Sequence, residues 1–144
     1  MKSIFSALVV LCAIQAAHAG EFTVIDDRAD VEVSEVSRLY IDGNLAAVFR
    51  LDEKSDRIVK KVTTPVGRLN HDYALCGEIT ITNDRGEKET HRVSSEGVLN
   101  NPDGRVFMAY GTNNFTDFYL LDPNDPNAVT HRAGATKVCA APIS

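Results

Sequence analysis

The stretch HDYALCGEITITN, residues 71–83, is the most regular segment of the chain and determines the fold class. Its large apolar side chains recur at every second position, which is the period of a β-strand and not of a helix. One face then carries Gly77 and four large side chains: Tyr73, Leu75, Ile79 and Ile81. The other face carries Cys76 among small and polar residues. We therefore predict a strand whose first face packs into the core and whose Cys76 lies outside the core or at its rim.

Turn signals divide the rest of the chain into short β segments. Asp42-Gly43-Asn44 predicts a hairpin in which Gly43 or Asn44 takes a positive φ, followed by alternating residues that share one face: Leu45, Ala47, Phe49 and Leu51. Gly97 and residues 100–104 predict the next connection, and the prolines of residues 122–127 end the last strands. This pattern predicts an all-β fold, a small two-sheet antiparallel, Ig-like β-sandwich, with a small β-barrel as the alternative.

The first residues have the organisation of a cleavable signal peptide. Lys2 precedes an apolar run over residues 4–11, and Ala17-His18-Ala19 precedes Gly20. The run is shorter than the roughly 18 residues that a membrane helix needs. We predict cleavage of residues 1–19, a secreted or periplasmic protein without membrane insertion, a partly ordered lead-in over residues 20–30, and one domain over residues 31–144.

Charge and cysteine content agree with export and exclude some functions. The net charge is −5, which is the wrong sign for a nucleic-acid partner. Lys60 and Lys61, the only local basic cluster, are expected to form a solvated strand edge. Because Cys12 lies in the leader, Cys76 and Cys139 remain as a pair, and in an oxidising compartment we expect them to form a disulfide.

Two stretches resemble a known family. VSRLYIDGNL (residues 36–45) and VGRLNHDYAL (residues 66–75) are similar to the hairpin and the later strand start of PEGA-like surface modules. The resemblance implies a structural or ligand-presenting β-sandwich and supplies no catalytic residue.

The aromatic residues around one late connection are the best candidates for ligand binding. An exposed aromatic ring beside asparagine side chains can stack on a sugar or pack against a protein. We predict a site for a protein or carbohydrate ligand that is formed by Tyr110, Asn113, Asn114, Phe115 and Tyr119. No cofactor or metal is predicted, and the expected protein is a non-enzymatic binding module.

Two alternatives remain open from the residues alone. A small exported hydrolase or metal-binding protein would use His71, His91 or His131 with nearby acids, and Asp122 to Asn127 offer oxygen ligands for calcium. A purely structural or inhibitory partner of another exported protein would instead present a flat apolar patch and no cleft.

Overall fold

The computed structural model describes residues 20–27, 33–111 and 118–132, together with Cys139. The predicted signal peptide, residues 1–19, lies outside these ranges, and its cleavage stays a prediction. The described residues form one short 3-10 helix, Pro126–Ala128, and nine strands: β1 Glu21–Asp27, β2 Val33–Ile41, β3 Asn44–Leu51, β4 Arg57–Thr63, β5 Asn70–Thr82, β6 Lys88–Asn100, β7 Val106–Gly111, β8 Phe118–Leu121 and β9 Val129–Arg132. In this part of the chain no helix is long and apolar enough to cross a membrane.

The strands form two sheets. The four-stranded sheet has the order β4-β1-β7-β8, and the five-stranded sheet has the order β3-β2-β5-β6-β9. Every pairing is antiparallel except that of β1 with β7, which is parallel. The predicted two-sheet sandwich is confirmed, and the barrel alternative is not adopted.

The core lies between the two sheets and uses one face of each strand. Phe22 of β1 and Phe107 of β7 meet edge to face with ring centroids 5.4 Å apart. Across from them the five-stranded sheet contributes a set of fully buried side chains: Leu39, Phe49, Leu75 and Leu99. The alternation predicted for residues 71–83 is confirmed, because Tyr73, Leu75 and Ile79 are all in this core.

The N-terminal segment is more ordered than the sequence predicted. Residues 20–30 were expected to form a partly ordered lead-in, but residues 21–27 form β1, an interior strand of the four-stranded sheet. Phe22 and Val24 are buried in the core, so this strand is held by apolar packing on one face and by hydrogen-bonded neighbours on both edges. Residues 28–30 lie outside the described part of the chain.

The first hairpin forms where it was predicted but with different details. Asp42 and Gly43 take the positive φ values, 50° and 83°, so Asn44 does not. A bulge between the Leu39–Ala47 and Tyr40–Leu45 pairs then shifts the register by one residue. Leu45 therefore does not share the face of Phe49; it is 53% exposed on the same side as Tyr40.

Gly97 was expected to mark a connection between strands, but it lies inside β6. Only glycine fits at this position, because a Cβ atom there would clash with the Thr130 carbonyl oxygen of β9 and lie 3.0 Å from the Tyr73 ring. β6 therefore continues to Asn100, and its second half pairs with β9, a strand that the sequence did not predict.

The predicted disulfide is confirmed. Cys76 and Cys139 are bonded, with their Cα atoms 5.3 Å apart at a sequence separation of 63. Cys76 points to the outer face of the five-stranded sheet, opposite to Tyr73 and Leu75, and is nevertheless buried. Cys139 therefore lies against that outer face.

Candidate functional site

The outer face of the four-stranded sheet carries a continuous row of apolar side chains, one from each strand. The pairings place Ile25 beside both Val59 and Met108, and Met108 beside Leu121. At the usual strand spacing this apolar row, Val59-Ile25-Met108-Leu121, crosses about 14 Å of the sheet. Val59 is 53% exposed, and the other three are partly exposed.

Further large side chains extend the row on both sides. Val106 pairs with Thr23 and is 42% exposed, whereas Tyr110 pairs with Tyr119 and is 49% exposed. Because side chains alternate along a strand, all of these point away from the core that Phe107 and Phe118 fill. We call the surface formed by the apolar row with Val106, Tyr110 and Tyr119 the apolar face.

Ion pairs lie on the β4 side of the apolar face. Arg57 contacts Asp27 at 3.5 Å, and Lys61 contacts Glu21 at 3.9 Å. Each pair joins β4 to β1 on the outer side of the sheet, one pair on either side of the apolar row. An apolar centre with charged groups at its margin is the usual composition of a protein–protein contact.

The two tyrosines of the apolar face begin a cluster of rings that reaches the five-stranded sheet. Tyr110 and Tyr119 have centroids 5.5 Å apart, and Tyr119 is 5.0 Å from His131 of β9. His131 Nδ1 lies 3.0 Å from the Tyr73 hydroxyl, which is also 3.3 Å from Ser95 Oγ. This cluster joins the adjacent edges of the two sheets and holds Tyr119 in place.

Tyr73 is the buried end of that cluster. Burial raises the pKa of its hydroxyl, although hydrogen bonds from Ser95 and from the backbone of Leu120 act in the opposite direction. The side chain is therefore neutral throughout the physiological range, and it links β5 to β8 as well as to His131. Its contacts are structural in character.

The predicted ligand residues are partly brought together. Tyr110 and Tyr119 are adjacent and exposed to solvent in part, whereas Asn113, Asn114 and Phe115 lie outside the described residues. The sequence-based prediction missed Ile25, Val59, Met108 and Leu121. A signal for them existed in Val24-Ile25 and Val106-Phe107-Met108, because consecutive apolar residues on one strand must place one side chain on each face.

The three candidate histidines occupy separate environments. His71 is buried beside Asp42, His91 contacts Glu89 at 3.4 Å, and His131 belongs to the aromatic cluster. In the described ranges no group of three or more His, Cys, Asp or Glu side chains is placed to hold a metal ion. The residues of the hydrolase or metal-binding alternative thus do not converge on one site.

The contact of His71 with Asp42 is the nearest approach to a catalytic pair. His71 Nδ1 lies 2.7 Å from Asp42 Oδ2, and the Asp72 amide donates to Asp42 Oδ1 at 2.9 Å. Burial alone would raise the pKa of Asp42, but these hydrogen bonds and the charge of Arg68 hold it below its usual value. The ionised carboxylate ties the β2–β3 turn to the start of β5.

Residues 122–127, which were considered as a calcium site, have their two carboxylates paired with an arginine. Arg105 contacts the Asp122 carboxylate at 3.2 Å and the Asp125 carboxylate at 3.0 Å. Each carboxylate also accepts a backbone N–H, from Asn124 and Asn127 respectively. These contacts fold residues 122–127 into consecutive turns around a guanidinium group.

Comparisons with known proteins add no relative from which a function could be taken. Neither the protein-family models, nor the curated proteins, nor the solved structures include a match to this chain.

Proposed function

We propose that this protein is an exported, non-enzymatic binding module that docks another protein on the apolar face. The observation that carries the proposal is the apolar row, which crosses all four strands of a sheet whose other side already packs against the core. Contiguous apolar side chains that reach solvent across a whole sheet are typical of a surface that binds a partner. A disulfide between Cys76 and Cys139 agrees with an oxidising compartment, secreted or periplasmic.

The shape and chemistry of the face favour a protein over a carbohydrate. Met108, Leu121 and Ile25 lie at its centre, and these apolar side chains offer sugar hydroxyls only the weak thioether acceptor of Met108. Methionine and tyrosine are both enriched in protein interfaces. Tyr110 and Tyr119 at one end supply the rigid aromatic groups that most often dominate binding energy. The resemblance to PEGA-like modules remains a prediction that is compatible with this role.

Site-specific photocrosslinking tests the proposal in the cells that produce the chain. A benzophenone amino acid is placed at Val106 or Val59 on the apolar face, and at Leu69 as a control, because Leu69 is 67% exposed but lies in the loop between β4 and β5, outside the apolar face. We expect one crosslinked protein from both positions on the face and not from Leu69. That protein is then purified and its affinity for the chain is measured.

Charge substitutions test the same surface quantitatively. Met108→Lys introduces a charge at the centre of the apolar row, whereas Leu69→Lys introduces it elsewhere. We expect Met108→Lys to weaken binding of the crosslinked protein at least about tenfold, and Leu69→Lys to leave it unchanged. The proposal is wrong if both variants bind equally well, or if the face positions give no specific adduct. It is also wrong if a glycan panel reveals a sugar whose binding requires Tyr110 and Tyr119.

A further inference from the structure

The edge strands β3 and β4 lie on the same side of the sandwich with a groove between them. Each is the terminal strand of its sheet, and no hydrogen-bonded partner covers its outer edge in the part of the chain that the structure describes. The groove has a volume of about 370 Å³ and is lined by residues 45–48 of β3 and by Lys60 and Lys61 of β4. Its floor is apolar on the β3 side and its β4 side is cationic.

The two strands that form the groove are basic in an acidic protein. Residues 44–51 and 57–63 include no acid and four bases, whereas the whole chain has a net charge of −5. Arg57 and Lys61 reach acids of β1, but Lys60 makes no ion pair within the described residues. The groove therefore carries positive charge that the surrounding structure leaves uncompensated.

β4 is the better of the two edges for adding a strand. All seven of its residues pair with β1 without a shift of register, so its outer edge is regular. β3 has a bulge beside Ala46, and bulges interrupt the regular spacing that pairing requires. A second copy of the chain is disfavoured as the occupant, since antiparallel pairing of two β4 strands would bring lysines close to lysines.

We propose that the outer edge of β4 binds an acidic polypeptide segment in extended conformation, which adds a fifth strand to the four-stranded sheet. Backbone hydrogen bonds to β4 supply affinity, and acidic side chains opposite Lys60 and Lys61 supply selectivity. Consecutive residues of β4 point to opposite sides, so the segment needs two adjacent acids, one for each lysine. The same lysines that discourage pairing with a neutral or basic strand favour pairing with an acidic one.

NMR titration of the isotopically labelled chain tests the proposal with a synthetic probe. The peptide acetyl-Thr-Val-Glu-Glu-Val-Val-Glu-amide places its acids opposite Lys61, Lys60 and Arg57 when it runs antiparallel to β4. We expect amide shifts that map to residues 57–63 and to residues 45–48. The same peptide with lysine in place of glutamate is expected to cause none of them.

Variants and a modified peptide separate strand addition from general attraction. We expect Lys60→Glu with Lys61→Glu to weaken binding at least tenfold, whereas Arg85→Glu with Lys88→Glu, the same charge change on the β5–β6 hairpin, stays within twofold of wild type. N-methylation of alternate peptide bonds on the pairing edge removes the hydrogen-bond donors and is expected to abolish binding. Equal binding of the methylated peptide, equal loss in both double variants, or shifts outside the groove would overturn the proposal. Met108→Lys leaves this edge intact, so the test is independent of the apolar face.

Discussion

Asp26 is a carboxyl group inside the sandwich, and a variant that cannot ionise at this position should gain stability relative to wild type as the pH rises. The residue is 1% exposed, on the core side of β1, opposite Glu35 and Ser37 of β2. Ser37 Oγ lies 3.3 Å from Asp26 Oδ2 and 3.2 Å from Glu35 Oε2, so the hydroxyl bridges two acids from different sheets. Burial first, and then the hydrogen bond and charge of Glu35, raise the pKa of Asp26 to about 10.

The sign of the effect follows from where the proton is held. In the unfolded chain Asp26 has an ordinary pKa of 3.8, whereas the folded protein keeps the proton to about pH 10. Between these values the unfolded state binds fewer protons, so the stability contributed by this group is complete below pH 4 and decreases as the pH rises. The free energy of unfolding then falls by nearly 1.4 kcal/mol per pH unit, which amounts to about 4 kcal/mol between pH 5 and pH 8.

Asp26→Asn keeps the size of the side chain and cannot ionise. Its amide donates to Glu35 as the protonated carboxyl does, and its oxygen still accepts from Ser37. We therefore expect the stability of the variant relative to wild type to increase by about 4 kcal/mol from pH 5 to pH 8. Because domains of this size are stable by only about 5–15 kcal/mol, such a gain is large and readily measured.

Urea unfolding followed by far-UV circular dichroism at several pH values between 5 and 8 provides the assay. Asp27→Asn is the matched control, because Asp27 is the next residue, lies on the outer face and pairs with Arg57 at 3.5 Å. The difference in the free energy of unfolding between Asp27→Asn and wild type should vary by less than about 0.5 kcal/mol over the same pH range. A difference between Asp26→Asn and wild type that does not change with pH would refute the assignment of a buried, protonated carboxyl.

Two further predictions concern stability. Gly97→Ala should lower the free energy of unfolding in urea by about 2–3 kcal/mol, because the alanine Cβ meets backbone atoms that cannot move independently. Residues 129–132 of β9 should also lose protection from amide hydrogen exchange, and unchanged protection there would contradict the prediction. Replacing Cys76 and Cys139 by serine should lower the free energy of unfolding by about 4 kcal/mol, the chain-entropy estimate for a loop of this length. The reasoning fails if the double variant and the wild type unfold at the same urea concentration.

Much of the fold followed from local patterns. The alternation in residues 71–83, the turn at Asp42-Gly43 and the cysteines Cys76 and Cys139 together predicted a two-sheet sandwich with one disulfide, and both the sandwich and the disulfide are present. These features depend on neighbouring residues along one strand or on simple counting. The turn that bends the chain after β8 was also predictable, because its prolines cannot pair.

The candidate site was less predictable, for a physical reason that particular residues illustrate. Tyr110 and Tyr119 were selected as exposed aromatics, but nothing local shows that Tyr119 packs on His131 or that Met108 lies beside Ile25. The first contact depends on how the edge strands β8 and β9 of the two sheets meet. The second depends on the parallel pairing of β1, which ends at Asp27, with β7, which begins only at Val106. Asp26 was expected in the partly ordered lead-in of residues 20–30, because the burial of its side chain also depends on strands distant in sequence.

The sequence by itself determined the class of structure, because the two-residue period of a strand is a property of its own backbone and side chains. Only the tertiary structure decided which strands expose the side chains on the outer face of their sheet. Ala74 and Cys76 on the outer side of β5 are buried, whereas the apolar row on the outer side of the four-stranded sheet is not. Whether a face is covered depends on where distant segments pack, and that packing is settled by the whole chain together.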